Sequence, residues 1–188
     1  MRKSLIAAVV AASLFTLAAC SNDDDPDTAA SHNEADVTFA QEMIPHHQQA
    51  IEMADLAESR AESQEVKDLA TDIEAAQGPE IETLTGWLES WGEDVPDEGM
   101  SGMDHGDMSS DDMGGMMTED EMADLESASG AEFDQMFLTM MIEHHEGAIE
   151  MAKTEQSEGE FPEAVDMAKE IETTQAEEIQ TMQDLLKS

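Results

Sequence analysis

Cysteine is nearly missing from this sequence, with Cys20 the only one in 188 residues. No intrachain disulfide can form, so the fold must hold itself together by packing. Basic residues are scarce as well: 7 Lys and Arg face 46 Asp and Glu, a formal net charge of -39. Such a surface repels nucleic acid and anionic lipid headgroups, so both are poor partners for it. It attracts cations, but weakly and without selectivity, so the charge alone assigns no function. No stretch alternates apolar and polar residues as a half-buried strand would. Nucleophile–base patterns and phosphate-binding loops are missing, which argues against an enzyme. None of the six histidines has a glutamate three residues before it. That removes the Glu-x-x-His signature of di-iron bundles and disfavours iron oxidation.

The one long apolar run is Leu5 to Ala19, preceded by Arg2 and Lys3. It is short for a membrane span and reads as a signal segment. It closes on Leu17-Ala18-Ala19-Cys20, which resembles the bacterial lipobox, where the cysteine is lipidated and becomes the new N-terminus. Lipidation explains Cys20 better than redox or metal chemistry does. The expectation is a protein exported across the cytoplasmic membrane and lipid-anchored in the cell envelope. Residues 21–33, "SNDDDPDTAASHN", then read as a disordered acidic tether.

What is abundant is repetition. "MIPHHQQAIEMA" (43–54) returns as "MIEHHEGAIEMA" (141–152), an offset of 98 residues. The offset carries Asp36 to Asp134, Phe39 to Phe137 and Met43 to Met141. It persists without a gap through Gln77/Gln175, Glu80/Glu178 and Leu88/Leu186. Each unit reads as a helical hairpin. Phe39, Met43, His46, Ala50 and Met53 form one stripe, and Val66, Leu69, Ile73, Ala76, Glu80, Leu84, Trp87 and Leu88 form the next. Ser31 with Glu34 suggests the first capping box, Thr118 with Glu121 a cap for a short extra helix, and Pro162 a helix start. The expected fold is all-α, an antiparallel four-helix bundle made of two repeated hairpins. The organisation is a lipoprotein signal segment (1–20), the tether (21–33), a first hairpin (34–91), a connector (92–129) and a second hairpin (130–188). Pro45, whose counterpart is Glu143, either kinks the first helix and re-aims His46 and His47 or marks a local helix start.

On a helix, Met43 neighbours both His46 and His47, and Met141 neighbours His144 and His145, while Met140 lies four before His144. Thioether and imidazole on one face can share a metal ion. Packing alone explains a lone buried histidine or a methionine stripe, but leucine would fill the same space without the desolvation cost of four imidazoles. Soft and borderline ligands of this kind favour Cu(I), and imidazole also suits Cu(II), Zn(II) or Ni(II). Copper is the expected metal and zinc a compatible one. If the first helices of the two hairpins are adjacent, the His pairs form one shared site; if diagonal, two separate ones. The connector adds Met100, Met103, Met108, Met113, Met116 and Met117 around His105, among glycines and acids that have no core to fill. It is either a low-complexity linker or a flexible thioether trap for Cu(I).

The doubled M-I-x-H-H-x-x-A-I-E-M-A, with its following I-E-x-x-Q-x-x-E-I, closely resembles the bacterial domain of unknown function 305 family over about residues 34–188. The resemblance implies a ferritin-like four-helix fold and, for some members, extracytoplasmic copper binding. Carried over, it implicates Met43, His46, His47 and Met53 in one copy and Met141, His144, His145 and Met151 in the other. Asp36 and Asp134 match the pattern as capping or orienting residues. The resulting expectation is a non-enzymatic envelope lipoprotein that sequesters copper, or passes it between an envelope donor and acceptor. The rival is an envelope interaction module whose histidines are structural. Imidazoles protonate near pH 6.5, so metal would be lost in acid.

Overall fold

The computed structural model describes residues 31–96 and 114–188. The signal segment, Cys20, most of the tether, and Met100, Met103, His105, Met108 and Met113 lie outside the described residues. Four long helices pair into two hairpins: α1 (Glu34–Arg60) with α2 (Gln64–Trp91), and α4 (Ala131–Glu158) with α5 (Pro162–Leu185). A short α3 (Glu119–Ser127) precedes the second hairpin. Among the described residues there is no strand, and no helix is long and apolar enough to cross a membrane.

The helix ends follow from local chemistry. α1 is capped by Asn33, not by Ser31: the Asn33 carboxamide accepts from the N–H of Ala35 and Asp36, and Asp36 accepts from the N–H of Asn33. The capping box is therefore shifted from the Ser31/Glu34 pair, because Asn33 sits where the backbone is still extended and its side chain reaches the first turn. Thr118 and Glu121 form the box of α3, and Pro162 opens α5. α2 stops at Gly92, whose φ of 77° is the left-handed cap that glycine adopts freely.

α1 runs unbroken through Pro45, and α2 through Pro79. Pro45 is thus no helix start. Each proline removes one N–H from a helix interior and leaves one carbonyl a turn earlier without its usual donor. Their counterparts in the second unit are Glu143 and Glu177, so only the first hairpin carries this perturbation.

α1 and α4 lie side by side, antiparallel, at the centre of the molecule. Bulky residues from the first half of one meet small residues from the second half of the other. Phe39 and Met43 share a core with Ala148 and Ala152, closed by Leu84, Leu88, Ala168 and Ile171. Phe137 and Met141 share the other with Ala50 and Ala54, closed by Val66, Leu69 and Ile73. The repeat thus generates two cores of complementary size, related by an approximate twofold axis. On α2 the buried stripe passes through Gln77 rather than Ala76, which is exposed.

The same symmetry fastens the turns. Asp36 accepts the N–H groups of Glu160 and Phe161 in the α4–α5 turn, at 2.9–3.2 Å. Asp134 accepts those of Glu62 and Ser63 in the α1–α2 turn, at 3.0 and 2.9 Å. Each hairpin thereby secures the loop of the other. A buried carboxylate satisfies amides that the turn itself cannot pair.

Candidate metal centre

Between the two apolar cores, where α1 and α4 cross, lies a polar layer. His46, His47, His144 and His145 are all fully buried. The His46 and His144 rings face each other across the α1–α4 interface, centroids 3.7 Å apart and inclined by 39°. The His46–His47 and His144–His145 centroids are 6.5 and 6.4 Å apart. Adjacent residues on a helix diverge by about 100°, so one histidine of each pair points at the partner helix and the other aims sideways. The first helices are adjacent, and the two pairs form one shared cluster.

The sideways histidines are each held by a carboxylate on the second helix of their own hairpin. His47 Nε2 stands 2.7 Å from a Glu80 oxygen, and His145 Nε2 2.7 Å from a Glu178 oxygen. With the carboxylate accepting, the ring proton sits on Nε2 and the lone pair on Nδ1. Both Nδ1 atoms are buried without a hydrogen-bond partner. Glu80 and Glu178 were visible in sequence as a repeated pair at one offset, each an acid on an otherwise apolar stripe. What sequence lacked was the pairing with the second histidine, 33 residues away. Gln77 and Gln175, one turn earlier, are also buried, and between them three side-chain polar atoms lack partners.

The facing histidines have no such support. All four ring nitrogens of His46 and His144 are buried without partners. Burial, reinforced by the neighbouring imidazoles, holds both rings well below the usual histidine pKa, so they are neutral. The Gly114 backbone lies beside the His46 ring and opposes this slightly without completing a hydrogen bond. Neutral imidazole with a free lone pair is the metal-binding form.

Met43 and Met141, one turn before His46 and His144, are fully buried in the cores flanking the layer. Met53 is buried and Met151 half-buried, two turns beyond the facing rings. Among the described residues, no three His, Cys, Asp or Glu side chains are arranged to hold an ion together. An ion at the facing imidazoles would therefore draw further donors from thioethers, which these helices carry beside the rings. Asp36 and Asp134 bind turn amides and bond to none of the histidines. Met117, expected in an unpacked connector, is buried in a core with Met53, Met140 and Met141. The reason is that its peptide docks on α1: Met117 N–H donates to Gln49 Oε1 at 2.7 Å, and Gln49 Nε2 donates to Met117 O at 2.9 Å. Met116 beside it is half-buried.

Replacing Glu80 and Glu178 together with glutamine should loosen the second imidazoles and lower the affinity for any metal at this layer about 10–100-fold. Chelator competition, with circular dichroism confirming unchanged helicity, reads this out. Unaltered affinity would remove the outer histidines from the site.

The fold and the layer define a class: a pseudo-twofold helical bundle with a buried imidazole cluster, flanked by thioethers, where its two central helices cross. The profile of the domain of unknown function 305 (DUF305) matches residues 36–186, and the chain belongs to that family. A DUF305 protein of Streptomyces coelicolor is 35% identical, with a TM-score of 0.70 over 81% of this chain and 90% of that one. A DUF305 fragment from Deinococcus radiodurans is 30% identical, with a TM-score of 0.71 over 82% and 96%. CopM in its Cu(I)-bound form is 31% identical, with a TM-score of 0.65 over 81% of this chain and 95% of that one. CopM is also similar in Cu(II)-bound, Ag-bound and metal-free forms. No curated protein sequence matches the chain.

Proposed function

We propose that this protein is a non-enzymatic copper binder of the cell envelope that holds Cu(I) at the α1–α4 crossing and passes it on. The observation that carries the reading is the His46–His144 pair: two neutral, facing imidazoles whose four nitrogens are buried and unpaired. A fold gains nothing from such a pair, because each unpaired buried polar group costs about 1–3 kcal/mol. A ligand that uses the lone pairs removes that cost. His46, His144, Met43 and Met141 are the proposed donors, with His47 and His145 beside them and Met53 and Met151 further along the same helices. Imidazole with thioether favours Cu(I), and Zn(II) suits the imidazoles alone. The similarity to CopM, which binds Cu(I), Cu(II) and Ag, supports the choice. The connector's Met100, Met103, His105, Met108 and Met113 supply a second set of soft donors in sequence. The segment ending at Cys20 supports export and a lipid anchor, with an envelope protein as donor or acceptor of the metal.

The test is a competition titration of the chain lacking residues 1–20 against a chromophoric Cu(I) chelator, with Zn(II) as control. A form lacking residues 99–113 and a His46→Ala/His144→Ala form are run beside it. Binding that survives the deletion and falls at least about tenfold in the double variant places the principal site in the bundle. Binding lost with the deletion assigns the site to the connector. No binding in any form ends the copper reading and favours an interaction module with structural histidines.

A further inference from the structure

The two halves of the polar layer carry the same histidine pairs, glutamates and buried glutamines, yet they differ at positions beside them, and one of these differences meets a third segment of the chain. Gln49 on α1 corresponds to Gly147 on α4. Both serve the same neighbour, the segment Gly114–Met117 that emerges from the connector. Gln49 is buried, and its carboxamide is fully used in gripping the Met117 peptide on both sides. Gly147 does the opposite, by having no side chain. A Cβ there would collide with the Gly114 carbonyl, so the segment lies directly on the helix backbone. Gly115 completes the approach at φ 86°, and a Cβ on it would stand 2.6 Å from the Glu143 carbonyl oxygen and 3.0 Å from that of His144. The segment therefore crosses from α4 at His144–Gly147 to α1 at Gln49, one turn from the facing rings. It closes that side of the imidazole layer.

We infer that Gly114–Met117 is a strap that gates access to the His46–His144 pair, and that Gln49 and Gly147 are the positioning residues that set how fast a soft metal enters and leaves. The inference rests on the copper reading for its cargo, but the strap itself is read without metal. Rings 3.7 Å apart are in van der Waals contact and leave no space for an ion between them. They must part for binding, and the element packed over them governs that step. Opening it breaks two backbone hydrogen bonds to one glutamine and withdraws the Met117 side chain from its core, a smaller barrier than parting the bundle. The strap is also the end of the Met-rich connector, so its opening brings the half-buried Met116 thioether free beside the site.

Two variants unseat the strap from opposite helices without touching a proposed ligand. Gln49→Leu removes both bonds to Met117, and Gly147→Ala pushes on Gly114 while favouring the helix that carries it. Carbethoxylation of His46 and His144 in the metal-free protein, resolved by peptide mass spectrometry, reports access. Stopped-flow transfer of Cu(I) to and from a chelator reports exchange. Both variants should accelerate both rates on the order of tenfold, with uptake and release rising together, so that affinity changes less than about threefold. Val66→Ala, which weakens the distant end of the same core, controls for stability loss and should leave both rates near wild type. Unchanged carbethoxylation in Gln49→Leu and Gly147→Ala overturns the strap. Acceleration by Val66→Ala equal to theirs does so too, since the rings are then reached by general unfolding. Should wild type bind no Cu(I), the copper reading fails, while the carbethoxylation arm still decides the gate.

Discussion

Replacing His46 and His144 together with leucine is expected to stabilise the metal-free bundle by about 2–4 kcal/mol. Leucine is similar in volume to histidine, and it fills the gap between the two cores without polar atoms. The four ring nitrogens it removes have no partner, so no bond is lost. For a chain of this size the gain corresponds to a rise of roughly 5–15 °C in midpoint, measured by circular dichroism in the presence of a strong chelator. If the proposed function holds, Cu(I) should raise the midpoint of wild type by linkage to the folded state and leave the double-leucine form unmoved. A fall in midpoint on substitution would mean the rings hold the fold together. It would remove the main physical ground for a ligand at this layer.

The second large effect lies at the end of the bundle, where Asp36 meets the α4–α5 turn. Removing its carboxylate by Asp36→Ala strands the N–H groups of Asn33, Glu160 and Phe161, at an expected cost of about 3–5 kcal/mol. Burial alone would raise the pKa of Asp36. The Asn33 amide, the Glu155 carboxyl and the amides of Phe161 and Glu160 outweigh it and hold the pKa below the ordinary value of 3.8. This contribution is complete above that ordinary value and is lost as pH falls through the lower, folded one. Glu155 behaves in the opposite sense. Its burial first, then its contact with Asp36, push its pKa up to about 8 from 4.5. The folded state favours its neutral form, so stability declines as pH rises from 4.5 and the full penalty is in place above about 8.

Thermal midpoints should therefore fall between pH 5 and pH 9, and Glu155→Gln should flatten part of that fall. At pH 9 the variant is expected to be more stable than wild type by about 2–4 kcal/mol, less where water reaches the carboxyl. Comparing the two at fixed salt isolates Glu155 from the general repulsion of a chain carrying -39 charges. Parallel pH profiles would show that Glu155 ionises without penalty. The first hairpin has Ala57 at this position and carries no such pair.

The repeat by itself determined most of this architecture. An offset of 98 residues, running through both helices of each unit without a gap, points to two equivalent hairpins. Periodicity put Phe39, Met43, His46, Ala50 and Met53 on one face, because a 3.6-residue turn leaves no other arrangement. Met–Ile–x–His–His set thioether and imidazole side by side for the same reason. Turn chemistry was legible at Thr118 and Pro162 but misplaced at α1, where Asn33 competes with Ser31 for the same cap. Pro45 and Pro79 show the limit of propensity: long helices packed along their length tolerate a missing bond that would end an isolated one.

Only the tertiary structure decided what the repeated residues do for each other. Sequence periodicity is local, and it carries no record of which helix faces which. Adjacency of α1 and α4 made one shared imidazole cluster where diagonal packing would have made two. It set His46 against His144 and left Glu80 and Glu178 to orient the outer rings. The clamps of Asp36 and Asp134 cross between hairpins, so neither unit alone contains the partner that explains them. Met117 read as a connector residue because its neighbours in sequence are glycine and acid, yet a glutamine 68 residues away buries it. The repeat alone gives no reason for Gln49 to stand where the second copy has Gly147. The difference acquires meaning only when a third segment, outside the repeat, is found lying on both.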